Sequence, residues 1–236
     1  MGTVLNLNEH TVGIRIQFEI ARWFESRKAA EQPNPKLVAL MPLTFRTLDA
    51  LYLETRNLPL VGVSGANKNK LKDKPDVFTF GLILESTEYR TLRSILALAG
   101  DLALVLHQLK SLRQPPDVGQ FIKPLHERAD KFREARHFFS HMEEAFRDYS
   151  IHAAPVPHDL NCGVKFGANA TNNIYLIWEN GTVYFSYDKR HCQVNVDTPE
   201  FNEIFKLARE LYAKIIDNPL SLRFREFKDP AQIYPD

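Results

Sequence analysis

One stretch limits the choice of fold more than any other: Asp130 to Tyr149, which reads DKFREARHFFSHMEEAFRDY. Wound as a helix at about 100° per residue, it separates into two faces. Phe132, Ala135, Phe138, Phe139, Met142, Ala145, Phe146 and Tyr149 fall on one side, and Arg133, Arg136, His137, Ser140, His141, Glu144 and Arg147 on the other. The apolar side is packing surface and predicts burial against further elements. The polar side is unusual, because a solvated helix face is ordinarily rich in Glu and Lys. This one carries three Arg, two His and one Ser, and no Lys.

Arg136 and His141 stand five residues apart, hence about 7.5 Å apart along a helix axis and about 140° apart around it. They border the two edges of the polar strip. The segment Arg136-His137-Phe138-Phe139-Ser140-His141 resembles the R-x4–6-H motif of the HEPN superfamily, with a polar residue directly after the Arg. The resemblance covers residues 86–150. It implies an α-helical bundle, and an active site in a cleft between two chains related by a two-fold axis. Relatives of that kind include toxin ribonucleases of defence systems and CRISPR-associated ribonucleases. Carried over position by position, it makes Arg136 and His141 catalytic and His137 the polar neighbour that orients them. Ser140 and Arg133 contribute by position only.

The chemistry agrees with those residue types. RNA carries its own nucleophile, the 2′-hydroxyl. Cleavage needs a base for that proton, an acid for the leaving 5′-oxygen, and positive charge for the phosphorus centre. Histidine serves as base or acid near neutral pH, and arginine grips phosphate oxygens bidentately while staying charged. One catalytic His per chain is too few for both proton transfers, and a homodimer that pools two His141 and two Arg136 makes up the shortfall. No cofactor or metal is called for. A bland reading stands beside this one: Arg136 pairs with a neighbouring carboxylate and His141 is a hydrogen-bonded structural residue. A metal reading uses Glu134, His137, His141 and Glu144, which share one side of the helix. It lacks the second Glu/His helix that a di-iron bundle requires.

Composition bounds the rest. With 236 residues, 44% hydrophobic and 11% aromatic, the chain has material for a sizeable core. A net charge of +1 excludes a global basic field, so any phosphate binding is local. Cys162 and Cys192 are the only cysteines and stand in no C-x-x-C spacing. The N-terminus lacks a basic segment followed by an apolar run. The run Ile95 to Leu106 is interrupted by Gly100 and Asp101 and is too short to span a bilayer. The expectation is a cytoplasmic protein with reduced thiols and no membrane association.

Along the chain, residues 8–30 lean towards helix, and Thr44 is placed to cap a helix from Phe45 to Arg56 with Phe45, Leu48, Leu51 and Tyr52 inward. Residues 62–76 form a loop in which Lys68, Lys70, Lys72 and Lys74 are either solvated or a weak RNA-binding patch. Ser86 or Thr87 opens a buried central helix that ends at Pro115-Pro116. The motif helix follows, starting as early as Val118. Asn180-Gly181 between two β-rich runs signals a hairpin with a type I′ turn, and Cys192 to Val196 suggests a third strand. Thr198 caps and Pro199 starts a last helix with Phe201, Ile204, Phe205, Ala208, Leu211, Tyr212 and Ile215 inward. The tail, rich in apolar–charged alternation, is expected to lie along the body or a partner. His126, His152 and His158 are taken as structural.

The fold class expected is mainly α: a HEPN-like bundle with an N-terminal helical extension and a C-terminal β-hairpin or three-stranded meander plus helix. Residues 1–75 form the extension and Lys-rich loop. Residues 76–155 form the helical core, with the motif helix at 118–149, and residues 156–236 the hairpin and last helix. The function expected is a metal-independent endoribonuclease of toxin or defence type, with RNA as substrate and a cognate antitoxin as partner. The alternative is a non-catalytic helical module that dimerises or binds RNA or a protein partner.

Overall fold

The computed structural model describes residues 35–56, 58, 81–82, 86–112, 116–142, 147, 154, 175–179, 181–216 and 233–234. The helix expected within residues 8–30 and most of the tail lie outside them. The described chain is mainly helical: α1 (Pro35–Thr55), α2 (Ser86–Ser111), α3 (Pro116–Asp130), α4 (Arg133–Ser140) and α5 (Thr198–Ile216). Four strands, β1 (Gly81–Leu82), β2 (Tyr175–Glu179), β3 (Thr182–Tyr187) and β4 (Arg190–Asn195), form one sheet in the order β1-β2-β3-β4. The chain divides into two compact units, one from residues 1–53, 98–130 and 201–236, the other from 54–97 and 131–200.

In the first unit, α1 begins a full two turns before the expected Thr44 start. Thr44 is therefore not a cap: its hydroxyl donates to the Leu40 carbonyl at 2.9 Å inside the helix. Side-chain bonds of this kind satisfy a hydroxyl within a helix as readily as at its end, so a threonine alone does not mark the start. Phe45, Leu48 and Leu51 are fully buried as expected. Phe45 meets Tyr212 of α5 edge-on at 6.1 Å, and Tyr52 meets Phe205 at 5.2 Å. All seven inward positions named for α5 are buried. Its cap lies one residue earlier than expected, because the Glu200 N–H donates to Asp197 Oδ1 at 2.9 Å. Asp and Thr are both good caps, and only the geometry selects between neighbours. From the tail, Tyr234 is buried on this unit, and its hydroxyl donates to Asp49 Oδ1 at 2.7 Å. Burial first, and then the Asp49 carboxylate, hold that phenol well above its usual range. It stays a donor.

Helix α2 buries Leu92, Ile95, Leu96, Ala99, Leu102, Ala103, Leu106 and Leu109, while Leu104 is 40% exposed. It is thus buried along one broad face and not all round. Its segment Tyr89–Ser111, mean hydropathy 1.4, is long and apolar enough to cross a membrane by length and composition, although the uninterrupted run is short; half of the window is buried. That pattern also belongs to the core helix of a packed bundle.

His126 of α3 is 6% exposed, and neither ring nitrogen has a hydrogen-bond partner. The His107 ring lies 5.6 Å away. Burial lowers the His126 pKa below its ordinary value, with Lys110 and His107 acting the same way and Asp130 and Glu127 opposing. The unfolded chain therefore takes up this proton first. The neutral ring's stabilising contribution is complete above about pH 6.5 and is lost as pH falls through the folded-state value. His126→Leu is expected to raise stability by roughly 1–3 kcal/mol by removing an unsatisfied buried group, and to flatten the acid side of the stability–pH curve. Urea midpoints at pH 7.5 and 5.5 measure both. Equal pH sensitivity in the variant would show that other groups govern it.

The second unit holds the sheet. β2 and β3 pair antiparallel from Leu176↔Phe185 to Glu179↔Thr182, the hairpin expected at Asn180-Gly181. Gly181 sits at φ +77°, and a Cβ there would come within 2.8 Å of the Asp197 Cβ. Both facts demand glycine. β3 and β4 pair from Thr182↔Asn195 to Tyr187↔Arg190, so the expected third strand is present. β1 is an addition that was not foreseen: Gly81 and Leu82 pair in parallel with Tyr175 and Leu176. Two residues carry no periodicity, and a parallel partner some 90 positions away in sequence leaves no local signature.

The β3–β4 turn is built from Asp188 at φ 50° and Lys189 at φ 60°. A two-residue hairpin loop needs positive φ at both positions, which Gly accepts and Lys resists. Lys189→Gly is expected to stabilise the protein by about 0.5–1 kcal/mol, measured by urea unfolding. A loss of stability would mean that the Lys189 side chain compensates for its backbone.

Candidate functional site

The helix expected as one piece over residues 118–149 is two helices, α3 and α4, separated by a turn at Lys131-Phe132. The reason lies in the spacing. Ala129, Phe132, Ala135 and Phe138 are all buried, and steps of three residues lag a 3.6-residue repeat by about 60° each. In one straight helix Ala129 and Phe138 would face opposite ways. The apolar seam thus shifts around the axis between α3 and α4, and the turn falls at that shift. Lys131 is held there by Glu200, 2.8 Å from its ammonium. Phe132 is helical in backbone and its carbonyl accepts from the Arg136 N–H at 2.9 Å. At the other end His141 leaves helical geometry with φ −123° and ψ 28°, its N–H donating to the His137 carbonyl at 3.1 Å.

Within α4 the expected division into faces holds over the described residues. Ala135, Phe138 and Phe139 are buried, as are Phe132 and Met142 at its ends. Arg133, His137, Ser140 and His141 are exposed, and Arg136 is half-buried. Val183, Phe185 and Tyr187 alternate onto one face of β3, and Arg190, Cys192 and Val194, their register partners, onto the same face of β4. α4 lies on that face. Phe138 packs on Phe185 at 5.5 Å with the rings tilted by 41°, and Phe139 meets Tyr89 at 6.0 Å. At the first turn of α4, Glu134 accepts from the Arg190 guanidinium at 3.0 Å through one oxygen and from the Cys192 thiol at 3.7 Å through the other. Burial, and then the Glu134 charge, push the Cys192 thiol up to about 11. It is a neutral donor and no nucleophile at physiological pH.

The exposed side of α4 is a chain of rings. His137 and His141 stand 4.6 Å apart between centroids with planes at 41°. His137 also meets Tyr187 at 5.5 Å, nearly perpendicular at 82°. Burial, with Asp188 and Glu134 adding negative charge, raises the Tyr187 pKa and keeps the phenol protonated.

Of the residues expected at the site, the structure thus brings His137 and His141 together. Arg133 and Ser140 share their exposed stripe, whereas Arg136 lies towards the half-buried edge. Lys68, Lys70, Lys72 and Lys74 lie outside the described residues, as do Glu144, His152, His158 and Cys162. Among the described residues no three His, Cys, Asp or Glu side chains group so as to hold a metal ion, and Glu134 already serves Arg190 and Cys192. Sequence reasoning missed Tyr187 and Arg190 as parts of this surface, and gave Glu134 a metal role where it instead pairs with Arg190. The available signal was the two-residue turn, which puts Tyr187 opposite Arg190 once the hairpin is accepted. Comparison with protein families, with characterised proteins and with solved structures finds no match for the chain.

Proposed function

We propose that the chain is a metal-independent endoribonuclease of HEPN type, with the exposed strip of α4 as its active site. His141 and Arg136 are its catalytic residues, His137, Ser140 and Arg133 line the site, and single-stranded RNA is the substrate. The setting proposed is a cytoplasmic toxin or defence component that acts as a homodimer, with strips facing across a two-fold axis, and is restrained by a cognate antitoxin.

The observation that carries this reading is the pair of exposed imidazoles on a helix whose opposite face is locked to a sheet. A surface strip of Arg, His and Ser, backed by Phe138 on Phe185 and anchored by Glu134, is pre-organised to meet a phosphodiester. Preorganisation of charged and proton-transferring groups is what phosphoryl chemistry needs from a protein.

The test is incubation of the purified protein with end-labelled single-stranded RNA in excess EDTA, beside a His141→Ala control. Fragments ending in a 2′,3′-cyclic phosphate, absent from the control, are the expected result. Absence of cleavage across several RNA sequences would leave the non-catalytic binding module as the reading. Cleavage that survives the substitution would place the chemistry elsewhere in the chain.

A further inference from the structure

We infer that the acid and the base of this reaction come from one and the same chain: His137 and His141 form its proton-transfer pair, with Tyr187 positioning His137. The inference rests on the ribonuclease reading above and revises one part of it. There, His137 only orients its neighbours and a second chain supplies the second histidine. The geometry makes that loan unnecessary.

His137 is held in a way that points to this role. Its ring packs against two others: His141, with centroids 4.6 Å apart, and Tyr187, 5.5 Å away and edge-on. Tyr187 is fixed by its register with Arg190 across the tight Asp188-Lys189 turn. Arg190 in turn donates to Glu134, three residues before His137 on α4. Glu134, Arg190, Tyr187 and His137 therefore close a ring of contacts from the helix to the hairpin and back. A solvated surface histidine needs no such support. His141, at the end of the helix, keeps its backbone tied to the His137 carbonyl, so the two imidazoles share one rigid base while their planes splay by 41°.

The step balances within this pair. The neutral imidazole takes the proton of the 2′-hydroxyl as the 2′-oxygen bonds to phosphorus. The phosphorus–5′-oxygen bond breaks, and the protonated imidazole gives its proton to that oxygen. The products are a 2′,3′-cyclic phosphate and a 5′-hydroxyl, with the proton now on the other ring. Passage of one proton between the rings, or through water, restores the start. The arginines of the strip carry the charge that builds on the phosphoryl oxygens in between. No oxidant, metal or cofactor enters.

Two measurements on the full-length protein test the inference. His137→Ala is expected to lower the single-turnover cleavage rate by about 10²- to 10⁴-fold, the span of a lost general acid or base, with its thermal melt unchanged because the residue is exposed. Tyr187→Phe, which keeps the ring, is expected to retain kcat, whereas Tyr187→Ala lowers kcat by about 10- to 100-fold with KM unchanged. In the second measurement, wild type and a rising excess of His141→Ala chain are co-expressed, so that any dimers are mixed. Activity per wild-type chain is expected to stay constant. A fall towards zero as the inactive chain increases would show that the two His141 are pooled between chains, and would overturn the inference while leaving the ribonuclease reading in place. Wild-type rates from His137→Ala would do the same. If the wild-type protein cuts no RNA, the ribonuclease reading itself fails and this inference falls with it.

Discussion

Alanine at position 141 is expected to reduce metal-free RNA cleavage by about 10²- to 10⁴-fold while leaving the fold as stable as before. The size follows from losing a positioned proton-transfer group. The lack of a stability effect follows from the location. His141 is exposed, and what it gives to α4 is a backbone bond to the His137 carbonyl, which alanine preserves. Arg136 separates two further effects. Arg136→Ala removes charge and bidentate geometry together, and Arg136→Lys retains only the charge; lysine is expected to recover a minor part of the rate, since a point charge does not match the paired oxygens of a phosphate. Single-turnover rates beside thermal melts give both quantities for each variant. A His141→Ala protein that melts several degrees lower would show that the histidine is structural, and the rate loss would then carry no mechanistic weight.

Phe185→Ala is expected to cost about 3–5 kcal/mol, the range for truncating a buried aromatic, against a total stability of about 5–15 kcal/mol for a typical domain. Phe185 is 2% exposed, at the centre of the face that receives α4, and packs against Phe138. Its loss removes both the buried area and the ring contact that sets α4 on the sheet. Glu134→Ala is expected to cost far less, because its ion pair with Arg190 is between half-exposed side chains and is screened by solvent. If both effects hold, the aromatic contact supplies the binding of α4 to the sheet and the ion pair its orientation. Urea unfolding of the two variants measures this, and a double-mutant cycle of Phe185→Ala with Phe138→Ala isolates the pair, expected to couple by about 0.5–1.5 kcal/mol. A Phe185→Ala loss below 1 kcal/mol would refute the assignment of that contact as the clamp. The same variant is expected to lose cleavage, since the strip then has no fixed backing.

The faces of α4, the inward residues of α5 and the hairpin at Asn180-Gly181 were all legible in the chain, because each depends on a repeat or turn carried by neighbouring residues. Composition marked α2 as a buried central helix but did not show that one side stays open, where Leu104 is 40% exposed. The break at Lys131-Phe132 was not legible. DKFR contains neither Gly nor Pro, so no local breaker announces the turn. Thr44 and Thr198 looked like caps because capping residues have the same local chemistry wherever they occur, and the carbonyl or N–H they meet is decided by the fold.

The candidate site divides along the same line. The segment alone determined that Arg133, Arg136, His137, Ser140 and His141 share a polar strip, since angular position on a helix follows from spacing. Tertiary structure decided which of them come together with what. Tyr187, Arg190 and Cys192 reach α4 from 50 or more residues away, and contacts that distant in sequence leave no trace in local periodicity. They exist because a tight turn folds β4 back on β3, and because a helix with three buried aromatic or small residues on one side must find a sheet face to cover them.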